Sequence, residues 1–412
     1  MKKLGLYIHV PFCAGKCPYC DFYSVSSSGF GSASKGSKSG GKAHADYIEA
    51  LVKQMREYSL SVKGMSLDTV YIGGGTPTVI GVELLLRVVK NIGANFAQKN
   101  AGPDSGVAEF TVEANPATVD LKGLKRLRKA GVNRLSLGLQ SAHDKELRVL
   151  SRKYSYADFL ECYRNAREAG FGNISVDVMY GVPTQTIGSF YETLKRVAAI
   201  EPEHISAYGL KIEPGTPFYK NFEKIREYMP GENEERGMYF MCCDFLGKAK
   251  YNQYEISNFA RRGFECRHNL KYWTCEEYLG LGTGAHSYFA GCRFSFKKNI
   301  REYIQSFGDS GVLAEKLDIF DKSGYNLFDE YIEVKPTERI GEYVMLNFRL
   351  KAGINKNDFA RLFLKNFDDL YYGRVEPFLR SGHILKTTGG YAFSLDGMLV
   401  SNYILGKIVE FD

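Results

Sequence analysis

The sequence predicts an α/β chain: a partial (β/α)6 barrel of TIM type over residues 1–295, then a small α+β, winged-helix-like domain over 296–412. Three observations predict it. Six short apolar, β-branched runs recur, segments of helical periodicity stand between them, and the alternation fades after about residue 295. Such alternation implies parallel strands covered by crossover helices, and six to eight units suggest a partial or full barrel.

In chain order the strands are LYIHV (6–10), TVYIGG (69–74), EFTVEANP (109–116), NRLSLGLQ (133–140), NISVDVMYG (173–181) and HISAYGL (204–210). Helical spacing of apolar residues, ending near Gly or Pro, marks 119–132, 157–170 and 188–202. Residues 24–42 hold eight Ser, five Gly and three Lys, a composition that buries little surface and predicts a flexible loop inserted in the barrel. Beyond 295, EYVMLNFRLKAGI (342–354), NDFARLFLKNF (357–367) and the hairpin-like ILKTTGGYAFSL (384–395) predict the smaller domain.

At 412 residues and 44% hydrophobic, the chain is long enough for two cores. No run approaches the roughly 18 apolar residues of a membrane helix. The start, MKKLGLYIHVPF, runs into a cysteine loop rather than a small-residue cleavage site, which predicts a cytoplasmic chain. The formal charge of +7 is uneven: residues 301–412 carry 14 Lys+Arg against 17 Asp+Glu. The C-terminal part is therefore not expected to bind nucleic acid.

Nine cysteines, an odd count in a chain expected to be cytoplasmic, predict thiols or metal ligands rather than disulfides. Cys13, Cys17 and Cys20 follow the first strand with C-x3-C-x2-C spacing. Three sulfurs so spaced can converge on one metal centre. A structural zinc site normally closes with four ligands, so zinc or a redox loop would need His9 or Asp21 to complete it. A [4Fe-4S] cluster held by three cysteines instead keeps one iron open. The remaining unusual polar residues fall at strand ends, where barrels carry their chemistry: the IGGGTPT turn (72–78), Glu113, Gln140 and Asp177. Read alone, the glycines could form only a tight turn, Glu113 could cap a helix, Gln140 and Asp177 could bond loop amides, and Arg152 could be a surface charge.

The segment YIHVPFCAGKCPYCDF resembles the opening of radical S-adenosylmethionine (SAM) enzymes, in particular the oxygen-independent coproporphyrinogen III oxidase group. The resemblance runs from residue 4 to about 405, interrupted by the Ser/Gly loop. It implies a [4Fe-4S] cluster on Cys13, Cys17 and Cys20, with SAM on the open iron and an electron donor for the cluster. It further implies that Gly74, Gly75 and Thr76 bind the methionine part of SAM and that Glu113 binds its amino group or ribose. Tyr7 and Tyr19 would pack near the cluster. Gln140, Arg152 and Asp177 match positions that contact a second SAM molecule in the oxidase.

Two departures separate this chain from the oxidase. The position two residues beyond Cys20, where the oxidase has a fourth cysteine, is Phe22; and where L-x-R-x-H is usual, LSRKY places Tyr154. CRHNLKYW carries the H-N-x-x-Y-W marker of the shorter, HemW-type branch, which is similar to haem chaperones rather than decarboxylases. The resemblance implies that His268, Asn269, Tyr272 and Trp273 bind haem, His268 being the preferred axial ligand; Cys266, Cys275 and His286 are nearby alternatives. Without it, Tyr272 and Trp273 would anchor a domain junction and His268 would bond a carbonyl. The expected function is haem binding and transfer to an acceptor protein that the sequence does not name. The competing expectations are oxidative decarboxylation of coproporphyrinogen III to protoporphyrinogen IX and a different SAM-dependent reaction.

Overall fold

The structure is a computed structural model that describes residues 2–27, 39–96, 107–308 and 327–409. Six parallel strands appear where the periodicity places them: β1 (Lys3–Val10), β2 (Ser66–Gly74), β3 (Glu109–Ala114), β4 (Arg134–Gln140), β5 (Ile174–Tyr180) and β6 (His204–Gly209). They lie side by side in chain order. A further strand, Tyr278–Leu281, adds in parallel to the outer edge of β1, pairing Tyr7 with Gly280. Antiparallel strands extend both edges, to Phe328–Glu333 on one side and Asn252–Gln253 on the other. Among the described residues these end strands share no ladder, so the barrel is open.

Side chains alternate across a strand, so each strand has one face toward the helices and one toward the barrel interior. Val70, Ile72, Val112, Leu135, Leu137, Val176 and Ile205 form the outer, fully buried set and belong to the main core. The inner set is polar: Tyr71, Glu113, Arg134, Ser136, Asp177, His204 and Ser206 line an interior cavity. Three of the crossover helices begin at side-chain caps, Asp120, Ser155 and Thr186, each accepting the amide three residues on. Among the described residues no helix is long and apolar enough to cross a membrane.

Part of the expected Ser/Gly loop is regular structure. Val25–Ser26 pairs with Phe12–Cys13, and residues 39–42 open the helix Ser39–Ser61. Residues 28–38 lie outside the described residues.

A second core holds Ile340, Val344, Phe359, Phe367, Phe393 and Ile404, beneath helices and the expected hairpin, Ile384–Lys386 with Gly390–Phe393. The helix Ile300–Gly308 packs Ile300, Tyr303 and Phe307 into the main core, and Phe328–Glu333 pairs with Cys292–Phe296 in the large sheet. We therefore propose that the smaller unit begins near Pro336 rather than at residue 296. Its turn at 347–351 meets the barrel: Asn347 Nδ2 donates to the Trp273 carbonyl at 3.0 Å, and the Lys351 amide to Tyr254 O at 2.9 Å.

Tyr47 ties the helix Ser39–Ser61 to the sheet. Its buried hydroxyl donates to the His9 carbonyl at 2.8 Å and accepts the Thr283 amide at 3.2 Å. Tyr47→Phe strands two buried backbone groups and is expected to cost about 1–3 kcal/mol in denaturant unfolding. Glu49→Ala, which breaks an exposed pair with Arg87, is expected to cost less than about 1 kcal/mol. Equal effects would show that the Tyr47 hydroxyl is not what joins the helix to β1.

Candidate functional site

The three thiols reach the site because β1 ends at Val10 and the chain turns back over the C-terminal ends of the strands. Phe12–Cys13 pairs with Val25–Ser26, Cys20 N donates to Cys17 O at 3.2 Å, and Lys16 Nζ donates to Phe22 O at 2.8 Å. Cys13, Cys17 and Cys20 line the mouth of a cavity of about 550 Å³, together with Tyr19 and Phe22. Burial pushes the Cys13 and Cys20 thiols up. They therefore ligate as thiolates only where a cationic centre compensates their charge.

A single-ion site does not fit this loop. His9, a fourth ligand the spacing allowed, has Nδ1 against Tyr7 Oη at 3.0 Å and Nε2 against the Tyr23 carbonyl at 2.9 Å. Asp21 is exposed, and no three Cys, His, Asp or Glu side chains among the described residues are spaced to hold one ion. A cubane distributes three thiolates over three irons, so its ligands need not converge on a single ion.

The glycine turn after β2 forms the cavity wall beneath the loop. A Cβ at Gly74, whose φ is +113°, would lie 2.6 Å from the His9 ring; one at Gly75 would lie 2.5 Å from Phe12 O. Gly73, which the sequence reading did not single out, leaves the space that Glu113 and Tyr71 occupy, since a Cβ there would lie 2.9 and 2.8 Å from them. The Gly75 and Thr76 amides donate to Val10 O and Phe12 O at 2.9 and 2.8 Å. Thr76 Oγ1 accepts from Asn115 Nδ2 at 2.9 Å and lies 3.9 Å from Cys13 Sγ.

Two carboxylates face the cavity. Glu113 Oε1 accepts the Tyr71 hydroxyl at 2.8 Å, and Oε2 accepts the Gly74 amide at 3.1 Å. Asp177 accepts from Ser136 at 3.2 Å and from Ser175 at 3.3 Å. Burial pushes the Glu113 carboxyl up to about 7, with Asp177 adding to the rise, and burial raises Asp177 as well. Neither makes an ion pair among the described residues; Arg134, buried at the cavity floor, is the cation that opposes both shifts. Gln140 lines the same wall in a left-handed conformation, φ +73°.

Arg152 also lines the cavity. One terminal nitrogen donates to Tyr19 Oη at 2.7 Å, while its buried Nε has no hydrogen-bond partner. Tyr154, where the resemblance implies histidine, lies under the guanidinium at 5.8 Å from ring centroid to Cζ and donates its hydroxyl to the Gly138 carbonyl. SAM offers an ammonium, a sulfonium, a carboxylate and ribose hydroxyls. Two half-buried carboxylates without ion partners among the described residues and an arginine with an unpaired donor fit that set.

The expected haem residues are placed differently. Asn269 lines the cavity, whereas His268 is 0% exposed on the helix Arg267–Trp273 with both ring nitrogens engaged: Nδ1 with Thr69 Oγ1 and Nε2 with Tyr272 Oη, each at 2.9 Å. Burial lowers its imidazole to about 3, so the ring is neutral. As folded here, neither nitrogen is free to bind iron. Trp273 sits at the junction with the smaller unit, under Arg349 at 5.9 Å. Cys266 is buried beside Glu109, Cys275 packs against the second core, and His286 is exposed at a strand start. Tyr7 does not reach the cavity; it stacks behind Tyr71 with centroids 6.3 Å apart. The sequence reading missed Tyr71, Asn115 and Arg134. Period-two spacing from Thr69 and Ser136 would have found Tyr71 and Arg134 on the inner face.

The profile described as "Radical SAM superfamily" matches residues 7–197. "Heme chaperone HemW" of Bacillus subtilis (strain 168) is 34% identical over 405 residues, covering 98% of each chain. "Heme chaperone HemW" of Haemophilus influenzae is 31% identical over 414 residues, covering 98% of this chain and 97% of that one. Among solved structures, the Escherichia coli radical SAM coproporphyrinogen III oxidase (HemN) matches with a TM-score of 0.81 at 22% identity, over 99% of this chain and 90% of that one, which shows a shared fold. The cysteine loop, the glycine turn and the end-to-end similarity lead to one conclusion: this chain belongs to the HemW family of the radical SAM superfamily, whose cofactors are a [4Fe-4S] cluster and SAM.

Proposed function

We propose that this protein is a haem chaperone that carries a SAM-ligated [4Fe-4S] cluster and passes haem to an acceptor protein. The observation that carries the reading is similarity to haem chaperones along 98% of the chain. Phe22 supports it: the residue at the fourth-thiol position of the oxidase is a phenyl ring, 68% exposed at the cavity mouth.

When bound, the cluster supplies one-electron chemistry and one open coordination position. In this reading Cys13, Cys17 and Cys20 hold it, and the Gly74–Thr76 backbone flanks the methionine part of SAM. Glu113 and Asp177 receive its cationic and hydroxyl groups, and Arg152 its carboxylate. Gln140 and Tyr19 bound the same space. Haem is assigned to the HNLKYW helix, where Asn269 already faces the cavity. His268 would be able to hold haem iron only once Thr69 or Tyr272 released a ring nitrogen. The reaction cycle also needs an electron donor and the haem acceptor.

Anaerobic titration of cluster-reconstituted protein with haem is expected to give stoichiometric binding at the Soret band, with no protoporphyrinogen formed from coproporphyrinogen III, SAM and reductant. Turnover of the porphyrinogen would overturn the chaperone reading. Replacing Cys13, Cys17 and Cys20 together by Ala is expected to remove cluster iron; retained iron would place the cluster elsewhere.

SAM binding is expected to depend on pH through Glu113. Its carboxyl titrates at about 7 in the ligand-free chain, and pairing with a cationic group of SAM requires the ionised form. Affinity should therefore fall as pH drops through 7, by up to about tenfold per unit, and level off above it. Equilibrium dialysis on either side of that pH measures the slope. Glu113→Gln should weaken binding and flatten the profile; an unchanged slope would remove Glu113 from the site.

A further inference from the structure

The HNLKYW helix stands directly behind the carboxylate of the cofactor cavity. Glu109, at the start of β3, seats it: Oε2 accepts the Arg267 amide and Oε1 the His268 amide, both at 2.9 Å. His268 is then held at both nitrogens by Thr69 and Tyr272. Its neutral ring lies face to face with Tyr71, centroids 5.4 Å apart and planes at 28°. Tyr7 stacks near Tyr71 at 30°. Tyr71 is thus an aromatic plate fixed by its neighbours, and its hydroxyl is one of the two donors to Glu113.

We infer that His268 is a positioning residue for the SAM site: clamped by Thr69 and Tyr272, its ring fixes Tyr71, and Tyr71 aims Glu113 into the cavity. A half-buried carboxylate whose two oxygens each accept one hydrogen bond is aimed by both donors, and losing one frees it to turn away from the cavity. A flat ring on Tyr71 restricts the swing of the phenol without adding charge, which suits an imidazole kept neutral by burial. Asn269, next in sequence, reaches the cavity from the same helix, so movement of that helix alters the wall SAM rests on. The inference rests on the assignment of Glu113 to SAM.

The test is SAM affinity by equilibrium dialysis on full-length, cluster-reconstituted protein, with a Soret haem titration and thermal melting on the same preparations. Tyr71→Phe removes only the hydroxyl on Glu113 and is expected to weaken SAM binding about tenfold while leaving haem affinity unchanged. His268→Ala should weaken SAM binding comparably. Tyr272→Phe, which keeps the ring and frees His268 Nε2, should do so by a smaller factor without lowering the melting temperature. If Glu113→Gln itself leaves SAM affinity unchanged, the underlying assignment fails. If Glu113→Gln weakens binding but Tyr71→Phe or the His268 and Tyr272 variants stay within about twofold of wild type, the positioning role is overturned.

Discussion

A Cβ on Gly75 would sit 2.5 Å from the carbonyl of Phe12, and the space left by its absence holds the site together. Through it the chain leaving β2 passes close enough to the segment leaving β1 for Gly75 and Thr76 to donate to Val10 and Phe12. Cys13 follows Phe12 directly, so the contact that closes the glycine turn also fixes where the thiol loop starts. Gly73 and Gly74 extend the same economy of volume, making room for Glu113 on one side and His9 on the other. The backbone thereby becomes a wall of the cavity, which side chains at these positions would fill.

Behind that wall the barrel interior departs from the usual layers of branched apolar residues. Its inner positions carry Glu113, Asp177, Arg134 and His204 with serines between them, and burial displaces most of their protonation equilibria. Such groups are costly to bury unless a ligand or a partner answers them. Hydrogen bonds from Ser136, Ser175 and Tyr71 answer part of the charge, and Arg134 opposes the rest at a distance. The part left over has the sign and placement that a cationic cofactor needs. Tyr154 fits the same economy: it keeps an aromatic face under Arg152 without adding a second positive charge.

Most of this was legible in the chain because the barrel is built from local signals. Alternation placed the six parallel strands, and the thiols, glycines and strand-end carboxylates fell at one rim as barrel topology requires. The surroundings of the HNLKYW segment were not legible in the same way. Its histidine is held by Thr69, 199 residues away, and no periodicity reports a contact across that separation. The same limit applies to Tyr278–Leu281 and Phe328–Glu333, whose places in the large sheet depend on pairing with distant or turned-back strands after the strand–helix beat has faded. Arg134 escaped notice because it begins a strand, at the end of the barrel where chemistry is not expected.

In the proposed function Cys13, Cys17 and Cys20 hold a cluster whose remaining iron is open to SAM. The most direct test is electron paramagnetic resonance of the reduced, cluster-reconstituted protein before and after adding SAM. A change in the g-values of the reduced [4Fe-4S] signal on SAM addition is predicted, because a new ligand on one iron alters the electronic structure of the whole cluster. A spectrum indifferent to saturating SAM would mean that the fourth iron is closed to it and that the cavity is not a SAM site.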